Sequence, residues 1–251
     1  MADDHAALLD DLRLEQEELA ADVDGIDRDD WLRPTRARGW DVRDSIAHLA
    51  DTDEVAYDTC ADGPRPLNAM VQLYASAEDF TLAGVRRGRR LPGADVLVWW
   101  RQAAARERAL LGSIEPATRV PWGIGMSATS LVTARMMETW AHGLDVRHAL
   151  DIPARDTPRL RHIAWLSLRA LPYAFTFAGR PVPEDPIRVE LTLPDGAAWT
   201  YGPPEAAARI SGPAGELCRL FVQRIRRDQA TQLEAEGDAA DAALDVARAF
   251  L

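Results

Sequence analysis

The chain has 251 residues, 47% of them hydrophobic and 27% charged, the make-up of a globular protein long enough to bury a substantial core. Its net charge of −11 argues against nucleic acid as a partner, since backbone binding needs a basic face, and no run approaches twenty apolar residues, so no membrane span is expected. Every basic residue is arginine, and a chain without lysine cannot form the Schiff base of ordinary pyridoxal-phosphate chemistry.

The first part reads as successive helices. Asp4 to Val23 is amphipathic, with Leu8, Leu12, Glu15 and Leu19 marking the repeat. Gly25 to Gly39 is a connector holding Trp31 and Pro34. Asp41 is placed to cap the next helix, with Asp44 three residues on completing a capping-box variant, and that helix runs to Cys60. Further helices are predicted over Asn68–Arg87, Ala94–Leu111 and Ser127–Leu150. The texture changes after Asp151. Thr157-Pro158 starts a helix, Ile187–Leu193 alternates as a strand, Pro194-Asp195-Gly196 turns, and Trp199 and Tyr201 mark the returning strand. Ser211-Gly212-Pro213 is read as opening another helix, followed by a short strand near Leu233 and a helix from Asp238 to Phe250. The expected fold class is α+β: a helical bundle over residues 1–152 and a small α+β domain over 153–251.

Two segments carry the chemistry. Glu138-Thr139-Trp140-Ala141-His142 sets a carboxylate and an imidazole four residues apart, which on a helix puts both on one face, about 6 Å apart at Cβ. A third metal ligand must come from elsewhere, and His48, which points away from its helix's stripe of Val42, Ile46, Leu49, Asp53 and Tyr57, is the best candidate. A His/Glu/His set leaves a coordination position open, as catalytic metal sites do. The alternative is a surface ion-pair network, with Arg135 bridging to Glu138. Leu131, Arg135, Glu138, His142, Asp145 and Ala149 share one band of their helix at about 100° per residue. His148 is expected to be structural, projecting with the apolar face, while His5 and His162 lack chemical company. Cys218 reads as a buried apolar thiol, and Cys60 lies too far along its helix to join His48. Two cysteines are too few for a disulfide framework, and the acidic start Met1-Ala2-Asp3-Asp4-His5 is unlike a secretory leader, so a cytoplasmic protein is expected. Trp40 and Trp122 are placed to wall a pocket. Arg86-Arg87-Gly88-Arg89-Arg90 reads as a solvated helix end.

The stretch Gly39-Trp40-Asp41-Val42-Arg43-Asp44-Ser45-Ile46-Ala47-His48-Leu49, with Glu138-Thr139-Trp140-Ala141-His142-Gly143-Leu144-Asp145-Val146-Arg147, resembles the DinB-like metal-binding superfamily, in the branch of mycothiol-dependent maleylpyruvate isomerase. Gly212–Leu217 through Glu236-Gly237-Asp238 resembles, more loosely, that branch's sterol-carrier-like C-terminal domain. The resemblance implies a four-helix bundle whose divalent ion, usually zinc, is held by His48, Glu138 and His142, with Asp145 accepting from an imidazole N–H. It also implies a substrate-binding arginine in a Gly-Arg step, which here reads Gln223-Arg224 and assigns Arg224 to a substrate carboxylate.

The implied chemistry is attack on an electrophilic, possibly anionic substrate by a small thiol, mycothiol, deprotonated at the metal, with Arg224 or the 86–90 arginines orienting that substrate. The product class is then a thiol-S-transferase or an isomerase. Two other classes stay open: a metal-dependent hydrolase that activates water at the same site, and a non-enzymatic metal- and ligand-binding protein.

Overall fold

The computed structural model describes residues 2–249. The chain folds as two compact units, one ending at Ala154 and the other beginning at Arg155. The first is helical and the second combines helices with a small sheet, so the α+β class holds.

The first unit contains α1 (Ala2–Asp22), α2 (Val42–Cys60), α3 (Leu67–Met70), α4 (Ala77–Gly88), α5 (Gly93–Leu111) and α6 (Ala128–Ala149). Strands β1 (Arg119–Val120) and β2 (Met126–Ser127) form a short antiparallel pair ahead of α6. Of these, α2 packs on α5, α4 and α6, while α1 packs on α6 and α5. The reason lies in the apolar positions. Leu19, Val23, Ile46, Leu49, Val96, Trp100 and Val146 fill one core cluster, and Leu8, Leu12, Leu111, Leu131 and Met136 a second. Gly88 lets α4 close on α2, for a Cβ there would collide with that of Ala47.

The capping box opening α2 forms as expected: the Asp41 side chain accepts from Asp44 N at 2.8 Å, and Asp44 Oδ2 accepts from Asp41 N at 3.2 Å. Asp41→Ala is expected to cost about 1 kcal/mol, read as a lower urea midpoint with an unchanged slope. The helix expected over 68–87 is interrupted instead. After α3 and a 3-10 turn at Val71–Leu73, Ser76 adopts extended backbone and its hydroxyl accepts from Asp79 N at 3.0 Å, starting α4 afresh. Ser-x-x-Asp is itself a helix-start signal, and here it outweighs the continuous periodicity. The 86–90 arginines are exposed, yet two are engaged: Arg89 pairs with Asp44 at 2.6 Å, and Arg87 pairs with Glu54 and lies over Trp99, tying α4 to α2 and α5.

The second unit contains α7 (Leu160–Arg169), α8 (Leu171–Phe177), β3 (Ile187–Thr192), β4 (Ala198–Tyr201), β5 (Ala208–Pro213), α9 (Ala214–Phe221), β6 (Glu234–Glu236) and α10 (Asp238–Asp245). The sheet order is β4-β3-β5-β6. The expected hairpin forms β3 and β4, with Leu191 opposite Trp199 and Gly196 at φ 85° in the turn. Strand β5 runs parallel to β3, with Val189 opposite Ile210. Val189, Leu191 and Ile210 are buried, as are Leu217, Leu220 and Phe221 of α9.

Three expectations need correction. Ser211-Gly212-Pro213 ends β5 rather than opening a helix, because Ser211 and Gly212 pair with Glu190 and Leu191, and α9 starts only at Ala214. Helix α7 starts at Leu160, not at Thr157-Pro158, which occupy the preceding turn. Helix α10 stops at Asp245 rather than continuing to Phe250, and Phe250 itself lies outside the described residues. No helix among the described residues is long and apolar enough to cross a membrane.

Candidate metal centre

Helices α2 and α6 pack against each other and bring three donor side chains together. His48 Nε2 lies 3.3 Å from Glu138 Oε2, and His142 Nε2 lies 3.5 Å from the same oxygen. One ligand atom from each residue falls within 4.8 Å of the others. The two imidazoles meet edge to face, with ring centroids 4.7 Å apart. All three side chains are largely shielded, at 11%, 24% and 12% exposure for His48, Glu138 and His142. Trp40, just ahead of the α2 cap, stacks on His142 at 5.7 Å and tilts over His48 at 5.2 Å, forming one wall. Trp122 packs instead against the cluster of Leu8 and Leu131.

Burial pushes the Glu138 carboxyl up, but hydrogen bonds and positive charge from His142 and His48 outweigh it and hold the group well below the usual carboxylate range. Two nitrogens and one oxygen, turned toward a common point from two rigid helices, form a donor set that fits a divalent ion of the zinc type. Asp145 Oδ2 lies 3.7 Å from His142 Nδ1, on the side of the ring facing away from Glu138; that distance is an electrostatic contact rather than a formed hydrogen bond. Arg224 belongs to the second unit, where its Nη1 donates to Val222 O at 2.7 Å.

Arg135 does not make the surface ion-pair network with Glu138. It is 2% exposed, and its Nε donates to Asp53 Oδ1 at 2.9 Å and its Nη2 to Thr52 Oγ1 at 2.8 Å. Trp100 Nε1 donates to Asp53 Oδ2 at 3.0 Å, and Glu107 Oε1 lies 3.8 Å from Arg135 Nε. The sequence signal for this buried cluster was Asp53 itself, a carboxylate on the apolar stripe of α2, which demands a cation from another helix. Two histidines also depart from expectation. His148 is exposed rather than packed on the apolar face. His5 has company: it is buried, with its ring nitrogens 3.1 Å from Thr129 Oγ1 and Leu111 O.

Burial, and then the proximity of Asp53, push the Glu107 carboxyl well above the usual range. The folded chain then binds a proton that the unfolded chain releases. Stability is therefore full below the ordinary glutamate range and falls as pH rises through the raised one. Urea midpoints across pH are expected to show this decline in the wild type and a flatter profile in Glu107→Gln; equal slopes would assign the titration elsewhere. Burial, reinforced by Glu107, pushes the Cys60 thiol up to about 12, and burial raises Cys218 further, so neither cysteine supplies a thiolate.

The family described as Mycothiol maleylpyruvate isomerase N-terminal domain matches residues 12–147, a span that includes Trp40, His48, Glu138, His142 and Asp145. An uncharacterized protein of Mycobacterium tuberculosis, matched in two strains, is 37% identical over 241 residues, covering 96% of this chain and 93% of the relative. Among solved structures, mycothiol-dependent maleylpyruvate isomerase superposes with a TM-score of 0.58, and a histidine-to-alanine mutant of it with 0.60. Both cover 92% of each chain at 16% identity, a likeness of fold. The chain therefore belongs to the mycothiol maleylpyruvate isomerase N-terminal domain family.

Proposed function

We propose that the protein is a metal-dependent enzyme that uses a low-molecular-weight thiol, mycothiol, as its nucleophile, either as a thiol-S-transferase or as an isomerase of the maleylpyruvate type. The observation that carries the reading is the convergence of His48 Nε2 and His142 Nε2 on one oxygen of Glu138, in a chain of this family. His48, Glu138 and His142 would hold the ion, for which zinc is the best match to the donors. Three protein ligands would leave a position open, where the bound ion would supply the Lewis acidity that makes a thiol nucleophilic at neutral pH.

The chain's own residues have distinct tasks in this reading. Glu138 supplies the only negative charge among the three donors and offsets part of the ion's. Asp145 biases His142 toward the tautomer whose Nε2 lone pair faces inward. Trp40 keeps water from one side of the imidazole pair. Arg224 is assigned the carboxylate of an anionic substrate. That assignment gains support from the backbone before it: Gln223 sits at φ 60°, the conformation a glycine adopts readily. Arg224 N donates to Arg219 O at 2.8 Å and Gln223 N to Leu220 O at 3.1 Å, the paired bonds of a Schellman cap. Gln223 thus preserves the turn that a Gly-Arg step would make. The free cysteines and the mycothiol requirement are in keeping with a cytoplasmic location.

The test is turnover of maleylpyruvate, and of a general thiol acceptor such as an aryl halide, by metal-stripped and zinc-restored protein with and without mycothiol. Turnover that needs both zinc and the thiol supports the proposal. Zinc-dependent ester hydrolysis indifferent to thiol would replace it with the hydrolase reading.

A further inference from the structure

The buried cluster beneath the three donors joins the helices that carry them. Arg135 lies on α6 one turn before Glu138, and its guanidinium reaches across to α2. There it donates to Thr52 Oγ1 at 2.8 Å, and the same hydroxyl donates to the backbone carbonyl of His48 at 2.7 Å. Asp53, the next residue, takes the Nε and Nη2 donors of the same guanidinium on Oδ1 and is itself held by Trp100 of α5. An unbroken chain of hydrogen bonds therefore runs from the turn below Glu138 to the backbone of His48.

We infer that Arg135, acting through Thr52, is a positioning residue that fixes the register of α2 against α6 and so sets the distance from His48 Nε2 to Glu138 Oε2. Three features favour a single rigid arrangement. A guanidinium is planar and presents its donors in a fixed fork, so contact with both Thr52 and Asp53 fixes its rotation as well as its reach. The guanidinium is paired, with Arg135 Nη2 2.8 Å from Asp53 Oδ1. Asp53, Glu107, Arg135 and Trp100 are each at most 2% exposed, so the ion pair is shielded from water, while Thr52 is half-buried. A thiol site of the kind proposed above needs donors held within a few tenths of an ångström, and outer partners of metal ligands typically change affinity about 10–100-fold.

The inference rests on the metal reading for one of its two tests only. The variants are Arg135→Lys and Thr52→Val, the second leaving the Arg135–Asp53 ion pair intact so that the fold survives. The control is Arg147→Lys on the same helix, where a buried arginine donates to Asp22 Oδ2 on α1 at 2.7 Å rather than to α2. In the first test, cobalt(II) affinity is measured by chelator competition together with the cobalt visible bands. Arg135→Lys and Thr52→Val are expected to bind about tenfold more weakly with altered band intensity, and Arg147→Lys like wild type. In the second, imidazole nitrogen NMR of the metal-free proteins is expected to show the His48 resonances moved in the first two variants and unmoved in the control. Wild-type affinity and spectra in both variants, or equal changes in Arg147→Lys, would overturn the inference. Failure of the wild type to bind cobalt would sink the metal reading alone, and the NMR comparison would still decide the positioning role.

Discussion

Glu138→Gln is expected to abolish thiol-dependent turnover and to weaken metal binding by more than the ~100-fold upper range seen when an outer partner is lost. The substitution changes almost no volume, so the loss isolates charge and donor chemistry. Both imidazoles direct Nε2 at the same carboxylate oxygen, 3.3 and 3.5 Å away, and the glutamate is the only anion among the three donors. An amide removes that anion, and its NH2 end offers no lone pair. Glu138 is only partly buried and lies outside the main core clusters, so the thermal midpoint of the metal-free variant is expected to stay within a few degrees of wild type. Metal titration with turnover assays on the same preparation checks both halves. A variant that keeps wild-type affinity would remove Glu138 from the donor set.

The largest expected loss of stability comes from Asp53. Replacing it with asparagine leaves Arg135 buried without its ionised partner, a class of change that costs about 3–5 kcal/mol. Glu107 softens the blow. Its oxygen is 3.8 Å from Arg135 Nε, and the proximity of Asp53 is part of what pushes its carboxyl well above the usual range. With Asp53 neutral, Glu107 can ionise and take over the guanidinium, placing the single variant near the lower end of that range. In Asp53→Asn combined with Glu107→Gln no carboxylate remains, and the loss is expected to exceed the sum of the two single losses. A double-mutant cycle from urea unfolding measures this, with a coupling of about 1 kcal/mol or more expected between groups in one network. Strict additivity would show that Glu107 does not respond to Asp53.

Local sequence chemistry made much of the donor cluster legible. The capping box at Asp41 sets the start of α2 and hence the direction of His48, while the four-residue spacing of Glu138 and His142 sets their common face. Apolar periodicity located the four long helices of the first unit, though it ran through the break that the Ser76 cap imposes. Pairing between distant helices was less visible. Arg135 falls in the same band as Glu138, which suggested a surface partner, because a helical wheel does not show which neighbour covers that band. The second unit was harder to read. Strand β5 has only Ala208 and Ile210 as inward-facing buried residues and borrows its stability from β3, so its sequence carries little pattern of its own. Short helices such as α8 likewise depend on tertiary contacts more than on propensity.

The most direct measurement is zinc binding to the metal-free wild-type chain by titration calorimetry, paired with His142→Ala. The account predicts a single near-stoichiometric site in the wild type, with proton release as histidine donors are taken up, and its loss in His142→Ala. No saturable binding in the wild type, or undiminished binding in His142→Ala, would contradict it.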